Sequence, residues 1–574
     1  MFLLASDFDR TFYINNYDFK KNVEAVKRFR NKNNKFVITT GRSYQDYMNI
    51  TKNFVPTDYL ILNHGATILK DDEVIKSTSI SESSLEKIRK LFDFSNLEYF
   101  ATKDKESRVS INENNLSKIN ITMRDNLVVK KAVDYINKNF TDIKAYILFH
   151  KNQFEIISSK TDKLEALKYI SEIENIDRVN IYTVGDGYTD INMIKYYNGY
   201  AMKNSVSDLL DIAPSIVNSV SEIIDFLDIN ITKEAHDKNL VNFINECYNY
   251  NHYFEKYMSK IYGKKTLDKN HIVIKKNNEI IACALVEPNK LYIDDNTLDI
   301  LTIGSICVDE KYRKKGYLKI LISAIKEEEN KYDLSVLSGD TKLYSKYGYY
   351  PNIINLYKVN AKKHDNIEFR SITDNHIDDC LNIYNKKIHS NRTIYNFKDI
   401  LSQWKSESYF IYKDNIFIGY LIYNTKQDYI SEIKCTDMKD VIEQFSIFKN
   451  REYINLNILN NDYDDYIKDD LEGTKMYSRH LYSINNIEKV INVCLNHKLK
   501  HNELEKGSIS IKVSDNIYKI TVSDKAYITS DTKYDFELDK EQFMNLLLNK
   551  KMIKDKLLSS WFYLDIDMYN NDLV

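Results

Sequence analysis

The sequence predicts an α/β fold, because short apolar segments with the character of buried strands alternate with amphipathic helical segments. Over residues 1–80 this alternation is typical of consecutive βαβ units, which form a parallel sheet covered by helices. Residues 300–325 repeat it as a strand, a basic turn and an amphipathic helix. With 574 residues, the chain is long enough for about four domains of roughly 150 residues each.

The first strand runs directly into two carboxylates, Asp7 and Asp9, separated by one residue. Side chains alternate between the faces of a strand, so these two point the same way. Two like charges held this close are costly unless a cation lies between them, and oxygen ligands of this kind suit Mg²⁺. A strand that ends in a polar turn is the simpler interpretation of the pair alone. The later segments favour the metal site.

Three later segments end in residues that suit a phosphate site. Another apolar strand is followed by Thr40 and Gly41; the Thr hydroxyl and N–H can donate to a phosphate oxygen, and Gly lets the backbone approach closely. Lys163 lies at the start of a helical segment, where the helix dipole does not stabilise a cation, so it needs another partner. A further strand ends in a Gly-rich acidic turn with Asp186 and Asp190. Together these groups predict a metal-assisted phosphoryl-transfer site.

These segments resemble the four motifs of haloacid dehalogenase (HAD) superfamily phosphatases. The matching stretches are Asp7-Phe8-Asp9-Arg10-Thr11, Thr40-Gly41-Arg42, Lys163 and Gly185-Asp186-Gly187-Tyr188-Thr189-Asp190. Asn63-His64-Gly65-Ala66 is similar to an Asn-Gly-Ala element of the Cof-type subfamily, which carries a large α/β cap. Residues 82–160 break the βαβ rhythm, and we expect them to form that inserted cap.

The resemblance implies a role for each matching residue. Asp7 is the expected nucleophile and forms an aspartyl-phosphate. Asp9 is expected to protonate the leaving group and then to activate water. Thr40 and Lys163 would hold the phosphoryl group.

The resemblance also implies a Mg²⁺ site and draws attention to two departures from the family pattern. Asp186 would bind Mg²⁺ with the nucleophile and the main-chain carbonyl of Asp9, while Asp190 would orient the metal shell or the lysine. The family usually has Gly where this chain has Arg10, and Asn where it has Thr189. The first departure removes no catalytic group, whereas the second replaces an amide that Thr cannot reproduce.

The composition sets limits on the partners. The chain has 81 basic and 83 acidic residues, so its formal net charge of −2 argues against an electrostatic nucleic-acid binder. Six cysteines are scattered singly, which favours a reducing compartment and argues against structural zinc. No apolar run is long enough to span a membrane, and the segment before Asp7 is too short for a signal peptide. We therefore expect a cytoplasmic protein without nucleic-acid or membrane partners.

The second half of the chain carries a candidate anion site. An apolar strand ends at Val308, and a basic turn with Arg313, Lys314, Lys315 and Gly316 leads into an amphipathic helix. The N–H groups of such a turn and of the helix N-terminus suit a pyrophosphate. A solvated basic turn is the simpler interpretation of these residues taken alone.

In its strand and helix context, the turn resembles motif A of the GNAT acetyltransferases, Arg/Gln-x-x-Gly-x-Gly/Ala. The resemblance implies that the strand end at Val308 and the turn from Arg313 to Gly316 bind acetyl-coenzyme A. Leu318 stands where most of that superfamily has Gly or Ala, and this version is typical of Eis-like acetyltransferases. Tyr344 matches the first Tyr of their Tyr-x-x-Phe/Tyr-Gly-Tyr element, which acts as general acid to the coenzyme A thiolate.

The rest of the chain is similar to the remaining parts of Eis-like proteins. Residues 366–475 show a helix pattern followed by strands without an Arg-x-x-Gly turn, which resembles their degenerate second GNAT domain. Residues 476–574 resemble their sterol-carrier-like α/β tail. In that family the C-terminal carboxylate is the base for acetyl transfer, which here implies Val574. Eis-like proteins commonly form hexamers.

We therefore expect a HAD Rossmann-like parallel sheet with an inserted α/β cap, then two GNAT α/β domains and a sterol-carrier-like α/β domain. The expected boundaries are 1–229 for the phosphatase, 232–362 and 363–475 for the two GNAT domains, and 476–574 for the tail. The expected ligands are Mg²⁺, acetyl-coenzyme A, a small phosphorylated metabolite and an amine acceptor. The alternative is a phosphatase joined to a module that binds acetyl-coenzyme A for regulation and catalyses nothing.

Overall fold

The computed structural model describes residues 1–52, 55–148, 152–263, 267–386, 388–458, 472–501, 504–549, 555–564, 566, 568–569 and 572–574. They form two compact units, Met1–Ile229 and Asn230–Val574. Both units consist of sheets combined with helices, so the predicted α/β fold class is confirmed.

The first unit alternates strands and helices along most of its length. In chain order its elements are β1 (Leu3–Asp7), α1 (Asn16–Asn31), β2 (Lys35–Thr39), α2 (Tyr44–Thr51), β3 (Tyr59–Leu62), β4 (Thr67–Lys70), β5 (Glu73–Ser77), α3 (Glu82–Leu91), β6 (Glu98–Lys103), β7 (Glu106–Val109), β8 (Lys118–Thr122), α4 (Asn126–Asn139), β9 (Ile143–Ile147), β10 (Gln153–Ser158), α5 (Lys163–Ile173), β11 (Ile181–Gly185), α6 (Ile191–Tyr196), β12 (Asn198–Met202), α7 (Ser207–Ile212), β13 (Ser215–Val217) and α8 (Val220–Leu227). Short 3₁₀ turns cover Asn63–Gly65, Arg178–Asn180 and Tyr188–Asp190.

The core sheet of this unit runs in the order β13-β12-β11-β1-β2-β3-β4-β5. Neighbouring strands from β13 to β3 are parallel, as the βαβ pattern predicts. β4 and β5 instead add an antiparallel edge, which the alternation of patterns does not reveal because it carries no information on strand direction. Every residue of β1 is buried, since this strand lies between β11 and β2 in the middle of the sheet.

A separate α/β layer is inserted between β5 and α5. Its sheet runs in the order β7-β6-β8-β10-β9 with antiparallel pairing throughout. Helices α3 and α4 pack against this sheet through an apolar cluster that includes Leu85, Ile88, Val129 and Phe154. These elements occupy the stretch where the sequence predicts the cap.

The second unit has longer strands and a second small sheet. In chain order its elements are β14 (Asn230–Glu234), α9 (Lys238–Cys247), α10 (Tyr253–Tyr257), α11 (Ser259–Tyr262), β15 (His271–Lys276), β16 (Glu279–Ile293), β17 (Asn296–Val308), α12 (Tyr317–Glu329), β18 (Leu334–Ser338), α13 (Thr341–Tyr344), β19 (Tyr350–Asn360), β20 (Ile367–Ser371), α14 (Ile377–Tyr384), β21 (His389–Ser390), α15 (Ile394–Leu401), β22 (Ser406–Lys413), β23 (Ile416–Asn424), β24 (Tyr429–Cys435), α16 (Met438–Phe448), β25 (Tyr453–Ile458), β26 (Glu472–Ile484), α17 (Ile487–His501), β27 (Gly507–Val513), β28 (Asn516–Val522), β29 (Ala526–Ser530), β30 (Phe536–Leu538), α18 (Lys540–Leu548) and α19 (Lys556–Trp561). Further 3₁₀ turns cover Glu310–Tyr312, Ser345–Tyr347, Asp374–His376 and Gln403–Lys405.

One continuous sheet joins the two regions in which the sequence predicts separate acetyltransferase-like domains. Its described strands follow the order β14-β15-β16-β17-β18-β26-β19-β25-β24-β23-β22-β20, and β21 pairs with β16. β26 pairs antiparallel with both β18 and β19, so the expected boundary at residue 475/476 falls inside this strand. Residues 459–471 of the predicted second domain lie outside the described residues.

The last part of the second unit forms its own small sheet, in the order β29-β28-β27-β30. Its apolar face packs with α17, α18 and α19 in a cluster that also contains Leu298 and Ile300 of β17. Among the helices that the structure describes, none has both the length and the apolar character needed to cross a membrane.

Candidate active sites

The carboxyl ends of β1 and β11 and the start of α5 bring the charged residues of the first unit together. Lys163 Nζ lies 2.6 Å from an oxygen of Asp7 and 2.7 Å from an oxygen of Asp190. The other oxygen of Asp190 accepts hydrogen bonds from the main-chain N–H groups of Asp186 (3.1 Å) and Gly187 (3.0 Å). All of these charged side chains are buried. The lysine at the helix start thus has two carboxylate partners.

Backbone geometry explains why glycine precedes the acidic turn. A Cβ on Gly185 would lie 2.4 Å from the side chain of Asp190, so any other residue would displace that carboxylate.

Asp162 caps α5 by accepting the N–H of Leu164, which fixes the start of the helix that carries Lys163.

The pKa values of two of the acidic groups are shifted in the direction expected where carboxylates are crowded around a cation site. Burial raises the pKa of Asp7 well above its usual value; Lys163 opposes this shift, and the carboxylates of Asp190 and Asp186 add to it. Burial and the nearby Asp190 also raise the pKa of Asp186. Burial disfavours the charged amine, yet Asp190 and Asp7 raise the pKa of Lys163 above its usual value. Lys163, together with Arg10 at 3.3 Å from Asp186, does not fully neutralise these three crowded carboxylates.

The donor set fits Mg²⁺. One carboxylate oxygen from each of Asp7, Asp186 and Asp190 lies within 4.8 Å of the others. These are hard oxygen ligands at the end of a parallel strand, which is the chemistry that Mg²⁺ prefers. A divalent cation there would also relieve the repulsion that raises the carboxylate pKa values.

Arg10, the first departure from the family pattern, has a left-handed backbone with φ of 61°. This conformation favours glycine and costs roughly 1 kcal/mol for other residues. The side chain offsets that cost by donating to the main-chain oxygen of Asn204 at 2.8 Å and by pairing with Asp186 at 3.3 Å. The second departure, Thr189, lies on the 3₁₀ turn Tyr188–Asp190.

Asp9 is held by Arg42 rather than by the buried lysine. The guanidinium donates two parallel hydrogen bonds to this carboxylate, Nε at 2.8 Å and Nη2 at 2.7 Å. Thr40 is buried directly after β2, and its hydroxyl accepts the N–H of Arg42 at 3.1 Å. The sequence places Arg42 in a motif without assigning it a role, and the structure shows that it orients Asp9.

A buried polar cluster joins the inserted layer to the loops beside this site. Glu155 on β10 accepts from Lys118 Nζ on β8 at 3.0 Å and lies 2.7 Å from His64 Nε2. Lys118 Nζ also donates to the main-chain oxygen of Gly41 at 2.5 Å, and the His64 ring lies where a Cβ of Gly41 would be. The sequence does not point to Lys118 and Glu155, because nothing local distinguishes a lysine or glutamate in a strand that faces another layer.

The Glu155 cluster predicts a specific pH dependence of stability. Burial opposes ionisation, but Lys118 and His64 lower the pKa of Glu155 to about 2. A lowered folded-state pKa stabilises the fold fully above the unfolded pKa of about 4.3, and this contribution is lost as pH falls towards 2. The total loss over this acid range amounts to about 3 kcal/mol.

We therefore expect the unfolding free-energy difference between wild type and Glu155→Gln to shrink as pH falls from 5 towards 2. The slope should be up to about 1.4 kcal/mol per pH unit. Urea titrations at each pH measure this difference. At each urea concentration a brief deuterium pulse, always applied at the same pH, labels the unfolded fraction, which is read on peptides from β8 and β10. A difference that stays constant from pH 6 to pH 3 contradicts the assignment.

The second unit places the predicted anion turn between β17 and α12. Gly316, with φ of 97°, caps α12, and Lys314 is also left-handed with φ of 61°. Helix α12 begins directly after this turn, and main-chain N–H groups at a helix N-terminus suit an anion. The side chains of Lys314 and Lys315 are exposed beside them.

The Arg313 side chain shapes this turn. Its Nε donates to the main-chain oxygen of Val308 at 3.1 Å, and its Nη2 donates to that of Cys247 at 2.9 Å. The guanidinium therefore ties the turn to the end of β17 and to α9. The recorded hydrogen bonds of Arg313 go to main-chain oxygens, which leaves Lys314 and Lys315 as the candidate side-chain partners of an anion at this turn.

β17 and β18 pair in parallel only from Ile300–Leu334 to Ile303–Leu337. β17 then bulges at Ser305, which has φ of 49°, and continues to Val308.

Tyr344, at the end of α13, is buried, and burial raises its pKa to about 12. The phenol therefore keeps its proton at neutral pH.

Val574 lies against the bulged part of β17. A Cβ on Gly304 would be 2.4 Å from the main-chain oxygen of Val574 and 2.5 Å from its carbonyl carbon. The Val574 side chain belongs to an apolar cluster with Cys283, Leu285 and Cys307. The Tyr344 ring lies at the end of β18, where a Cβ on Gly339 would be 2.4 Å from it.

A buried ionic network holds the residues that precede Val574. Arg392 donates to Asp572 through Nε at 2.7 Å and to Glu432 through Nη1 at 2.7 Å. Tyr384 also donates to Asp572, at 2.8 Å, and Lys260 Nζ donates to the main-chain oxygen of Leu573 at 2.9 Å. Burial lowers the pKa of Lys260 to about 8. The sequence does not point to this network, because its members lie far apart in the chain.

Two family models match the chain. Residues 4–122 and 102–227 match the haloacid dehalogenase-like hydrolase model, and residues 228–351 match the model for the acetyltransferase (GNAT) domain. The matched residues therefore correspond to a HAD-like hydrolase domain followed by a GNAT acetyltransferase domain, and both are enzyme domains.

Relatives and solved structures are similar to parts of the chain. A phosphoglycolate phosphatase of Sulfurisphaera tokodaii is 27% identical over 262 residues, which cover 44% of this chain and 97% of the relative. An uncharacterized protein of Mycoplasma capricolum is 28% identical over 264 residues, covering 38% of this chain and 98% of its own length. The solved structure of a conserved Enterococcus faecalis protein, described as a probable N-acyltransferase, covers 58% of this chain and 97% of its own, with 12% identity and a TM-score of 0.45.

Proposed function

We propose that the first unit is a Mg²⁺-dependent phosphatase that hydrolyses small phosphorylated metabolites through an aspartyl-phosphate at Asp7. The observation that carries this proposal is the buried arrangement of Asp7, Lys163 and Asp190 beside Asp186. Such a set can accept a phosphoryl group on one carboxylate and balance its charge with one lysine and one divalent cation.

Each step of the proposed phosphoryl transfer uses particular residues of the chain. An oxygen of Asp7 forms a bond to phosphorus while the bond to the leaving oxygen breaks, and Asp9 gives that oxygen a proton. Asp9 then takes a proton from the water that attacks the aspartyl-phosphate, which returns the free Asp7 and releases phosphate. Lys163 and the Thr40 hydroxyl hold the phosphoryl oxygens, and Arg42 keeps Asp9 in position. Mg²⁺, when bound by Asp7, Asp186 and the Asp9 carbonyl, supplies charge neutralisation.

The substrate class is tested by a screen. The inserted layer lies over the loops that contain Gly41 and His64, so its residues contact whatever the leaving group carries. Phosphoglycolate, sugar phosphates, nucleotides and pyridoxal phosphate, offered to the 574-residue chain with Mg²⁺, should give phosphate release with at least one of them. Release that persists in EDTA would contradict the metal dependence.

We propose that the second unit is an acetyl-coenzyme A-dependent N-acetyltransferase of the Eis-like kind. The observation that favours it is the position of Val574 against Gly304 and in one apolar cluster with Cys307, on the strand that leads to the basic turn. The turn before α12 would hold the pyrophosphate of the cofactor. In a chain that ends at Val574, its carboxylate takes a proton from the amine, the amine nitrogen attacks the acetyl carbon, and Tyr344 protonates the departing thiolate.

Tyr344→Phe is expected to lower the rate of acetyl transfer by about 10²-fold with little change in KM, because the phenol proton acts in the transition state. The assay follows release of coenzyme A thiol with a panel of amines. Tyr395→Phe, an exposed control, should leave the rate unchanged. A rate that is near background in wild type and unchanged in Tyr344→Phe favours the alternative, a non-catalytic module that binds acetyl-coenzyme A.

A further inference from the structure

Two histidines and an aspartate converge outside both sites. His497 and His501 lie one turn apart on the last part of α17, and their ring centroids are 4.6 Å apart. Asp294 lies in the two-residue turn between β16 and β17, with φ of 50°. His497 Nδ1 is 2.8 Å from one oxygen of Asp294, and His501 Nε2 is 3.2 Å from the other.

We propose that Asp294, His497 and His501 form a binding site for a divalent transition-metal ion of the Zn²⁺ class. One ligand atom from each residue lies within 4.8 Å of the other two. Imidazole nitrogen and carboxylate oxygen are the donors that Zn²⁺, Co²⁺ and Ni²⁺ take, and a three-ligand site leaves positions open to water.

The spacing of the donor atoms suits such an ion. A tetrahedral ion with bonds of about 2.0–2.1 Å holds its ligands about 3.3 Å apart. The two nitrogen–oxygen separations, 2.8 and 3.2 Å, are already close to that value. Binding replaces the hydrogen bonds between the imidazoles and the carboxylate, and any proton on a ligating nitrogen leaves to solvent.

The surroundings allow an ion to enter. The exposed fractions of the side chains are 20% for Asp294, 19% for His497 and 50% for His501. Burial raises the pKa of Asp294, but hydrogen bonds from the two histidines hold it below its usual value, so the carboxylate is charged at neutral pH. The one nearby cation, among the contacts of the described residues, is Lys500, whose Nζ lies 3.9 Å from Asp294. Its side chain is exposed and can turn away.

An ion at this position would connect the β16–β17 turn to the helix that leads into the small C-terminal sheet. Both elements contribute to one apolar cluster, through Leu298 of β17 and Val490 of α17. The ion would therefore stabilise the docking of these two parts. This inference does not depend on the proposed phosphatase or acetyltransferase activities.

The test is metal binding by the 574-residue chain in excess Mg²⁺, which saturates the carboxylate site of the first unit. After addition of Zn²⁺ and gel filtration, wild type should retain one more zinc ion per chain than His497→Ala and His501→Gln. Zn²⁺ should also raise the thermal midpoint of wild type, read by tryptophan fluorescence, and leave that of both variants unchanged. Both tryptophans, Trp404 and Trp561, lie in the second unit.

Matched controls separate the site from other zinc ligands. His252→Ala removes an exposed histidine that lies 3.4 Å from Glu255, and it should retain the wild-type zinc content. Lys500→Ala should bind zinc at least as tightly as wild type. Midpoints in EDTA that match wild type verify that the variants are folded. Equal zinc content and equal midpoint shifts in wild type and either folded histidine variant would overturn the proposal and leave an ordinary ion-pair cluster.

Discussion

Asp7→Asn is expected to lower kcat for Mg²⁺-dependent hydrolysis of p-nitrophenyl phosphate by roughly 10⁴-fold or more. The amide is a poor nucleophile, so no aspartyl-phosphate forms. The substitution also removes one of the three crowded carboxylates and leaves Lys163 paired with Asp190 at 2.7 Å. The fold should therefore survive, and the loss of rate reports on chemistry.

The control for this variant is Asp225→Asn. Asp225 on α8 forms an exposed ion pair with Arg28 on α1 at 2.9 Å, and neither residue belongs to the cluster at the ends of β1 and β11. Such pairs contribute about 0–1 kcal/mol, and hydrolysis should be unchanged. Retention of more than a few per cent of the wild-type rate in Asp7→Asn would show that another group accepts the phosphoryl group.

Arg392→Met is expected to destabilise the second unit by about 3–5 kcal/mol, because it leaves the carboxylates of Asp572 and Glu432 buried without their cation. Both ion pairs are 2.7 Å long, and the three side chains are almost completely buried. Urea unfolding followed by tryptophan fluorescence measures the effect, since the two tryptophans report only on this unit.

The same substitution should reduce acetyl transfer by at least tenfold at temperatures where the variant is folded. Asp572 lies two residues before Val574, so its release loosens the segment that rests against Gly304. Arg370→Met is the matched control, because Arg370 pairs with Glu368 on the surface. Destabilisation of Arg392→Met by less than 1 kcal/mol would contradict the role of the network.

The sequence could predict the residues at the strand ends because their arrangement follows from local rules. Carboxyl ends of parallel strands meet at one edge of a sheet, so Asp7, Thr40 and Asp186 are expected there once the strands are recognised. The sequence predicts that Lys163 needs a partner, and Asp7 and Asp190 provide it. The interpretation of these residues as catalytic rests on the motifs and stays a prediction.

Contacts between distant segments could not be predicted in the same way. Glu155 and Lys118 meet Gly41 and His64 only after the inserted layer has packed on the core. Arg392, Glu432 and Asp572 come from widely separated positions of the chain. Periodicity reports which face of an element is apolar, and it carries no information on which polar side chains share a buried space.

The order of the strands in the large sheet of the second unit could not be predicted from the sequence either. The expected domain boundary at residue 475/476 falls inside β26, which fills the gap between β18 and β19 and makes one sheet of the two acetyltransferase-like regions. The backbone of Arg10 is a further case. A left-handed arginine is disfavoured locally, and only the partners Asn204 and Asp186 explain how it is tolerated.

The central claim is that one chain carries two independent active sites, one for phosphate hydrolysis and one for acetyl transfer. The most direct test measures both rates, p-nitrophenyl phosphate hydrolysis and amine-dependent release of coenzyme A, on the same preparations of wild type, Asp7→Asn and Tyr344→Phe. We predict that Asp7→Asn loses only the first rate and Tyr344→Phe only the second. A wild type without amine-dependent release of coenzyme A, or a variant that loses both rates while folded, would contradict the claim.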